Sequence, residues 1–129
     1  MNLEKAYELA QKGDSLGAAR ECEAAFARDE SFVSAIEGLD FWVGGEKPED
    51  ALRFARAVDK RVAFYRARIE FFRGLALMDL GRTDEAKAAL RLARLLGYNN
   101  EARLRIELGR RMSPDELNEL LLITPRASP

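Results

Sequence analysis

The chain has 129 residues, 47% of them apolar and 33% charged, with 21 basic side chains, 22 acidic ones and no histidine. That balance excludes a disordered chain or a bundle of membrane spans and fits one globular domain that needs no disulfide or metal staple. The charge is unevenly spread: residues 1–50 carry 5 basic and 12 acidic side chains, residues 51–129 carry 16 and 10, which fits ordinary solvated helix faces, an acidic partner on the second half, or head-to-tail self-association.

Ala, Leu, Arg and Glu dominate, all good helix formers, and proline is confined to Pro48, Pro114, Pro125 and Pro129, so all-α is the expected class. The start, Met1 to Ala6, has no basic segment leading into an apolar run. No stretch of about 18 apolar residues follows. No membrane and a cytoplasmic location are therefore expected. Helices are predicted over about 2–12 and 15–28, turning at Gly13-Asp14, then over 31–43 and 49–59, where Pro48 suits a helix start. A long helix over 61–80 leads through Gly81 into 84–96, with Gly97 as its stop. Asn99 or Asn100 is a candidate cap for a helix over 101–111. Ser113-Pro114-Asp115-Glu116 reads as a capping box opening a helix to about 122, and residues 124–129 read as a flexible tail.

An internal repeat organises these elements. Gly13 and Gly81 lie 68 residues apart, as do Ala18 and Ala86, Ala25 and Ala93, and Ala6 and Gly74. Half of that offset is 34, so a middle unit should fall near residues 31–61, with Ala51 matching Ala18 and Ala86. Its turn, Val43 to Asp50 with Gly44-Gly45 inside, reads as longer than the other two.

On these residues the chain resembles the tetratricopeptide repeat (TPR) family. The small first-helix residue is Ala6 or Gly74, and the second-helix Ala-x3-Phe is answered by Ala18-x3-Cys22, Ala51-x3-Ala55 and Ala86-x3-Leu90. The family's first-helix Trp and Leu are replaced by Asn2 and Lys5, and by Glu70 and Arg73 in the third unit, and its closing Pro is absent. The resemblance implies antiparallel helical hairpins stacked as a short right-handed solenoid. Three hairpins would occupy residues 1–98 and capping helices residues 99–123, all in a single domain. It also implies a concave groove lined by the first helix of each hairpin. Carried over by alignment, the groove residues are Leu3, Tyr7 and Ala10, then Phe32, Ala35, Leu39 and Trp42, then Arg68, Phe71, Leu75 and Met78.

Catalytic chemistry finds little support. Without histidine the Ser-His and Cys-His pairings are unavailable. A lone Cys22 allows neither an internal disulfide nor a thiolate zinc site, and a core position would make it inert. Gly44-Gly45 lacks the Lys-Ser/Thr of a phosphate loop. No enzyme activity, catalytic residue, cofactor or metal is expected. The run 53–73 carries seven cations against Asp59 and Glu70, with Phe54, Phe64, Tyr65, Phe71 and Phe72 interleaved. That pattern could describe an RNA surface, but aromatics at helical spacing are more often core, so nucleic acid is the least favoured partner.

The groove list is apolar for a surface, which points to a protein-binding adaptor or chaperone-like module taking an apolar or amphipathic segment, with one carboxylate meeting Arg68. The rival expectation is self-association as a homodimer, the C-terminal helix filling the groove with Leu117, Leu120, Leu121 and Ile123.

Overall fold

A computed structural model describes residues 3–29, 31–59 and 65–124, and every regular element among them is helical. In chain order these are α1 (Glu4–Gln11), α2 (Ser15–Asp29), α3 (Phe32–Gly44), α4 (Pro48–Asp59), α5 (Arg66–Asp79), α6 (Thr83–Leu95), α7 (Glu101–Leu108) and α8 (Pro114–Leu121). Helices α1 to α5 each pack on the next in the chain, and α7 packs on α8. Two further contacts skip one helix, α3 on α5 and α6 on α8. The expected helix from 61 begins outside the described residues, as does most of the tail.

Why the chain turns where it does is visible in four copies of one backbone motif. At Gly13 (φ 84°), Glu46 (φ 61°), Gly81 (φ 77°) and Gly97 (φ 108°) the chain enters the left-handed region. Each of these residues donates its N–H to the carbonyl three back, and the next residue donates to the carbonyl five before it: Asp14 to Leu9, Lys47 to Trp42, Arg82 to Leu77 and Tyr98 to Ala93, all at 2.8–2.9 Å. This is the Schellman ending, which satisfies carbonyls that the finishing helix leaves open.

The middle turn is no longer than its neighbours. One residue follows α3, Glu46 takes the left-handed position, and Lys47 precedes α4, matching Lys12-Gly13-Asp14 and Leu80-Gly81-Arg82. Its two glycines misdirect a reading from sequence, because neither is the left-handed residue. Gly45 serves a close approach instead: a Cβ there would meet Leu16 Cδ2 at 2.8 Å and the Phe41 carbonyl oxygen at 3.0 Å.

Helix starts follow their signals. Ser113 accepts from the Glu116 N–H at 3.2 Å while Glu116 accepts from the Ser113 N–H at 3.2 Å, the reciprocal capping box, with Pro114 leading the helix. Asn100 is the residue that caps α7, accepting from the Arg103 N–H at 3.1 Å. α7 ends at Leu108, short of the expected 111. Gly109, the poorest non-proline helix former, follows it.

The repeat positions form the interior. Ala18, Ala51 and Ala86 are buried, as are Cys22, Ala55 and Leu90 one turn later, and Ala25, Val58 and Ala93 beyond them. A small cluster joins Leu3 and Ala6 of the first hairpin to Ala18, Cys22 and Ala25. A larger one runs from Ala19 to Leu120, and Phe41 packs against both. Small residues set the helix spacing: a Cβ on Gly74 would lie 2.6 Å from Leu90, and one on Gly38 would lie 2.7 Å from Phe54.

Buried polar groups are held individually. Glu70, standing where the repeat pattern has an apolar residue, is fully buried and meets Arg73 Nη1 at 3.1 Å. Arg94, also buried, donates to the Tyr98 carbonyl and to the Leu121 carbonyl, each at 2.9 Å, and so ties the end of α8 to α6. Lys87 of α6 pairs with Glu116 of α8 on the same side of the molecule.

Candidate functional site

Helices α3, α5 and α7 share one face, and a cavity of about 370 Å³ opens on it. Ile36 of α3 with Ala67 and Phe72 of α5 supply its apolar lining. Arg68 of α5 and Arg103 of α7 supply charge, and the α6–α7 connection adds Tyr98, Asn99 and Asn100. Helical spacing explains the grouping. On α3, Ala35, Leu39 and Trp42 recur at three or four residues and are buried, so the opposite side of the same helix presents Val33, Ile36, Glu37 and Asp40.

Stacking holds the cations in place. The Phe32 ring lies 3.4 Å from Tyr65, 19° from parallel, and the Arg68 guanidinium sits 5.5 Å from the Phe32 centroid. Arg103 lies 5.1 Å from the Phe72 ring and 5.8 Å from Phe71, and donates to Asp40 at 2.6 Å. Beneath it Phe71 stacks on Tyr98 with centroids 4.3 Å apart. Asp40 thus answers the charge of Arg103. Arg68 is exposed and makes no hydrogen bond or ion pair with the described residues.

One carboxylate beside the cavity is in the converse position. Glu37 is half-buried, next to Gly38 and one helical turn before Phe41, and makes no hydrogen bond or ion pair with the described residues. Burial, then the neighbouring Asp40, push its pKa above the usual carboxylate value, while Arg103 pulls it back. The same carboxylate helps to raise the pKa of Tyr7, after the burial of that phenol.

The residues read from sequence divide sharply. Leu3, Leu39, Trp42, Phe71 and Leu75 are buried, and Met78 is half-buried against the core. Their helices turn these side chains toward neighbouring helices rather than toward open solvent. Trp42 illustrates the point: its indole N–H donates to Glu23 of α2 at 3.0 Å, and Arg53 of α4 grips the same carboxylate at 2.6 Å. Tyr7, Phe32 and Arg68 remain at the surface, Phe32 half-covered by the guanidinium above it. Val33, Ile36, Glu37, Phe72 and Arg103 escaped the sequence reading. The polar side of the α3 periodicity carried a signal for the first three, whereas Phe72 and Arg103 are brought in by packing alone.

Other readings meet the same geometry. Phe54, Phe71 and Phe72 of the basic run are buried, so their faces are unavailable for stacking on bases; Phe64 lies outside the described residues. Cys22 is fully buried, and desolvation with nearby Glu37 and Glu21 pushes its thiol up to about 12, far from the range of a reactive thiolate. No group of three or more potential metal ligands occurs among the described residues. No helix among them is long and apolar enough to cross a membrane. Compared with family models, with curated proteins and with solved structures, the chain finds no match.

Proposed function

We propose that the chain is a short TPR-like array, four helical hairpins with the last acting as a cap, that binds an amphipathic peptide segment and catalyses nothing. The observation that carries this reading is the cavity on the α3–α5–α7 face, where Ile36, Ala67 and Phe72 lie beside Arg68, which makes no ion pair among the described residues. An apolar floor with a few convergent polar groups is the usual character of a binding site. In an array of hairpins, α1, α3, α5 and α7 are the first helices, so this face is the inner one. The apolar side of a helix or extended segment would cover Ile36 and Ala67, and a carboxylate would meet Arg68. An adaptor or chaperone-like role follows from such binding.

The test is fluorescence anisotropy with capped amphipathic peptides and the variant Ile36→Asp. Ile36 is half-buried at the cavity rather than central to the core, so the variant is expected to keep its helicity and lose about tenfold in affinity. Equal binding by the wild type and a folded variant would sink the reading.

A second reading, self-association through the C-terminal hairpin, draws on the exposed apolar side chains Ile106 of α7 and Leu122 just after α8, 59% and 79% exposed. Within one chain α8 packs on α6 and α7, so a dimer would use the outside of this hairpin. Mass in solution for the wild type and for Ile106→Ser with Leu122→Ser tests it. Two monomers would remove it.

A further inference from the structure

Charges near the α3–α5–α7 face are mostly paired: Arg103 meets Asp40, Arg111 meets Asp79, and Arg110 meets Glu107. Among the described residues, Arg68, held over Phe32, makes no ion pair, and Glu37 of α3 makes no hydrogen bond or ion pair. Between them on α3 lie Val33, which is 45% exposed, and Ile36 at the cavity. Phe32 and Glu37 are five residues apart on α3, a rise of about 7.5 Å and a turn of about 140° around the helix, so the ring beneath Arg68 and the carboxylate of Glu37 flank the Val33–Ile36 strip from its two edges.

We infer that this face binds its peptide in one direction, taking a dipolar segment whose basic side chain meets Glu37 and whose acidic group meets Arg68, with apolar side chains on Val33 and Ile36 between. The inference rests on the peptide-binding reading and adds the charge pattern and the polarity of the bound segment. Charge complementarity is its ground. A carboxylate deprived of part of its water regains stabilisation from an incoming ammonium or guanidinium, and Arg68 is prepositioned by stacking, so little side-chain freedom is lost on pairing. A segment bound the other way round would set like charges against each other at both ends, which is how polar groups at an interface fix register.

The experiment uses the full chain and five end-capped synthetic peptides with the same leucine and phenylalanine positions. One is neutral, one carries Lys alone, one carries Glu alone, and two carry both, two helical turns apart, in opposite orders. Affinities are measured by fluorescence anisotropy for the wild type, Glu37→Gln and Arg68→Gln. One of the two dipolar peptides is expected to bind the wild type about tenfold more tightly than the other, and each single charge to contribute about threefold. Glu37→Gln should erase the gain from Lys and leave that from Glu, and Arg68→Gln should do the reverse. If all five peptides bind alike and neither variant alters the order, the dipolar inference is overturned while the peptide-binding reading stands. Failure of every peptide to bind overturns both.

Discussion

The α3–α4 and α5–α6 hairpins end their first helices with the same turn and then stabilise it by different chemistry. In α5–α6 a glycine, Gly81, occupies the left-handed position, and the first helix is anchored by an aromatic stack of Phe71 on Tyr98 under the Arg103 guanidinium. In α3–α4 the left-handed residue is Glu46, and the anchor is polar, the Trp42 indole bonded to Glu23 and Glu23 gripped by Arg53. The backbone geometry is thus the repeated quantity, and the side chains that secure it are free to differ.

Removing each anchor separates the two kinds of support. Phe71→Ala should cost about 3–5 kcal/mol, since it empties a fully buried site and unstacks Tyr98; a smaller loss in urea unfolding would mean the cavity collapses. Trp42→Phe keeps most of the volume and deletes the donor to Glu23, so about 1–2 kcal/mol is expected. The loss should shrink when Glu23→Gln is already present, a double-mutant cycle that isolates the bond.

Substitution at the turn residues should act with opposite signs at matched positions. Gly81→Ala places a Cβ in the left-handed region and should destabilise by about 1 kcal/mol. Glu46→Gly relieves that cost while loosening the unfolded chain, for a net gain of roughly 0.5 kcal/mol. Thermal melts of both variants would check this. A loss on Glu46→Gly would show that the Glu46 side chain makes a contribution its backbone conformation conceals.

The smallest effects are in pH. Glu116 has a pKa lowered to about 2, first by Lys87 and then by Ser113. Its folded value lies below the ordinary 4.5, so its contribution is present above pH 4.5 and is lost as the pH falls toward about 2. Glu37 has the opposite sense: with its folded pKa raised, stability is lost as the pH rises from the ordinary carboxylate value through the raised one. Acid titration of unfolding should lose part of its slope in Lys87→Met. Glu37→Gln should be more stable than the wild type at neutral pH and indistinguishable from it below the ordinary carboxylate range.

The helical class, most of the helix boundaries among the described residues, and the buried second-helix positions were legible because they depend on local signals: a glycine at the turn, a Ser-Pro-Asp-Glu start, an alanine every repeat. The middle turn was misread because Gly44-Gly45 is the obvious turn signal, yet close packing against Leu16 claims Gly45 and leaves the left-handed conformation to Glu46. The site was harder still. Alignment picks positions by their place in a pattern, and a large apolar residue there, such as Leu39 or Phe71, is more profitably covered by the next helix. What remains open is set by which neighbours arrive. Phe72 and Arg103 are 31 residues apart in sequence and meet only because α7 lies against α5.

Arg94 reaches the last helix through the carbonyl of Leu121, a group that every residue type possesses. The fastening is therefore blind to the identity of residue 121, and sequence drift or redesign there would leave it intact. Length is what it registers. A graft appended after Thr124 keeps the knot tied, whereas a cut before Leu121 unties it and leaves the buried cation with the Tyr98 carbonyl alone.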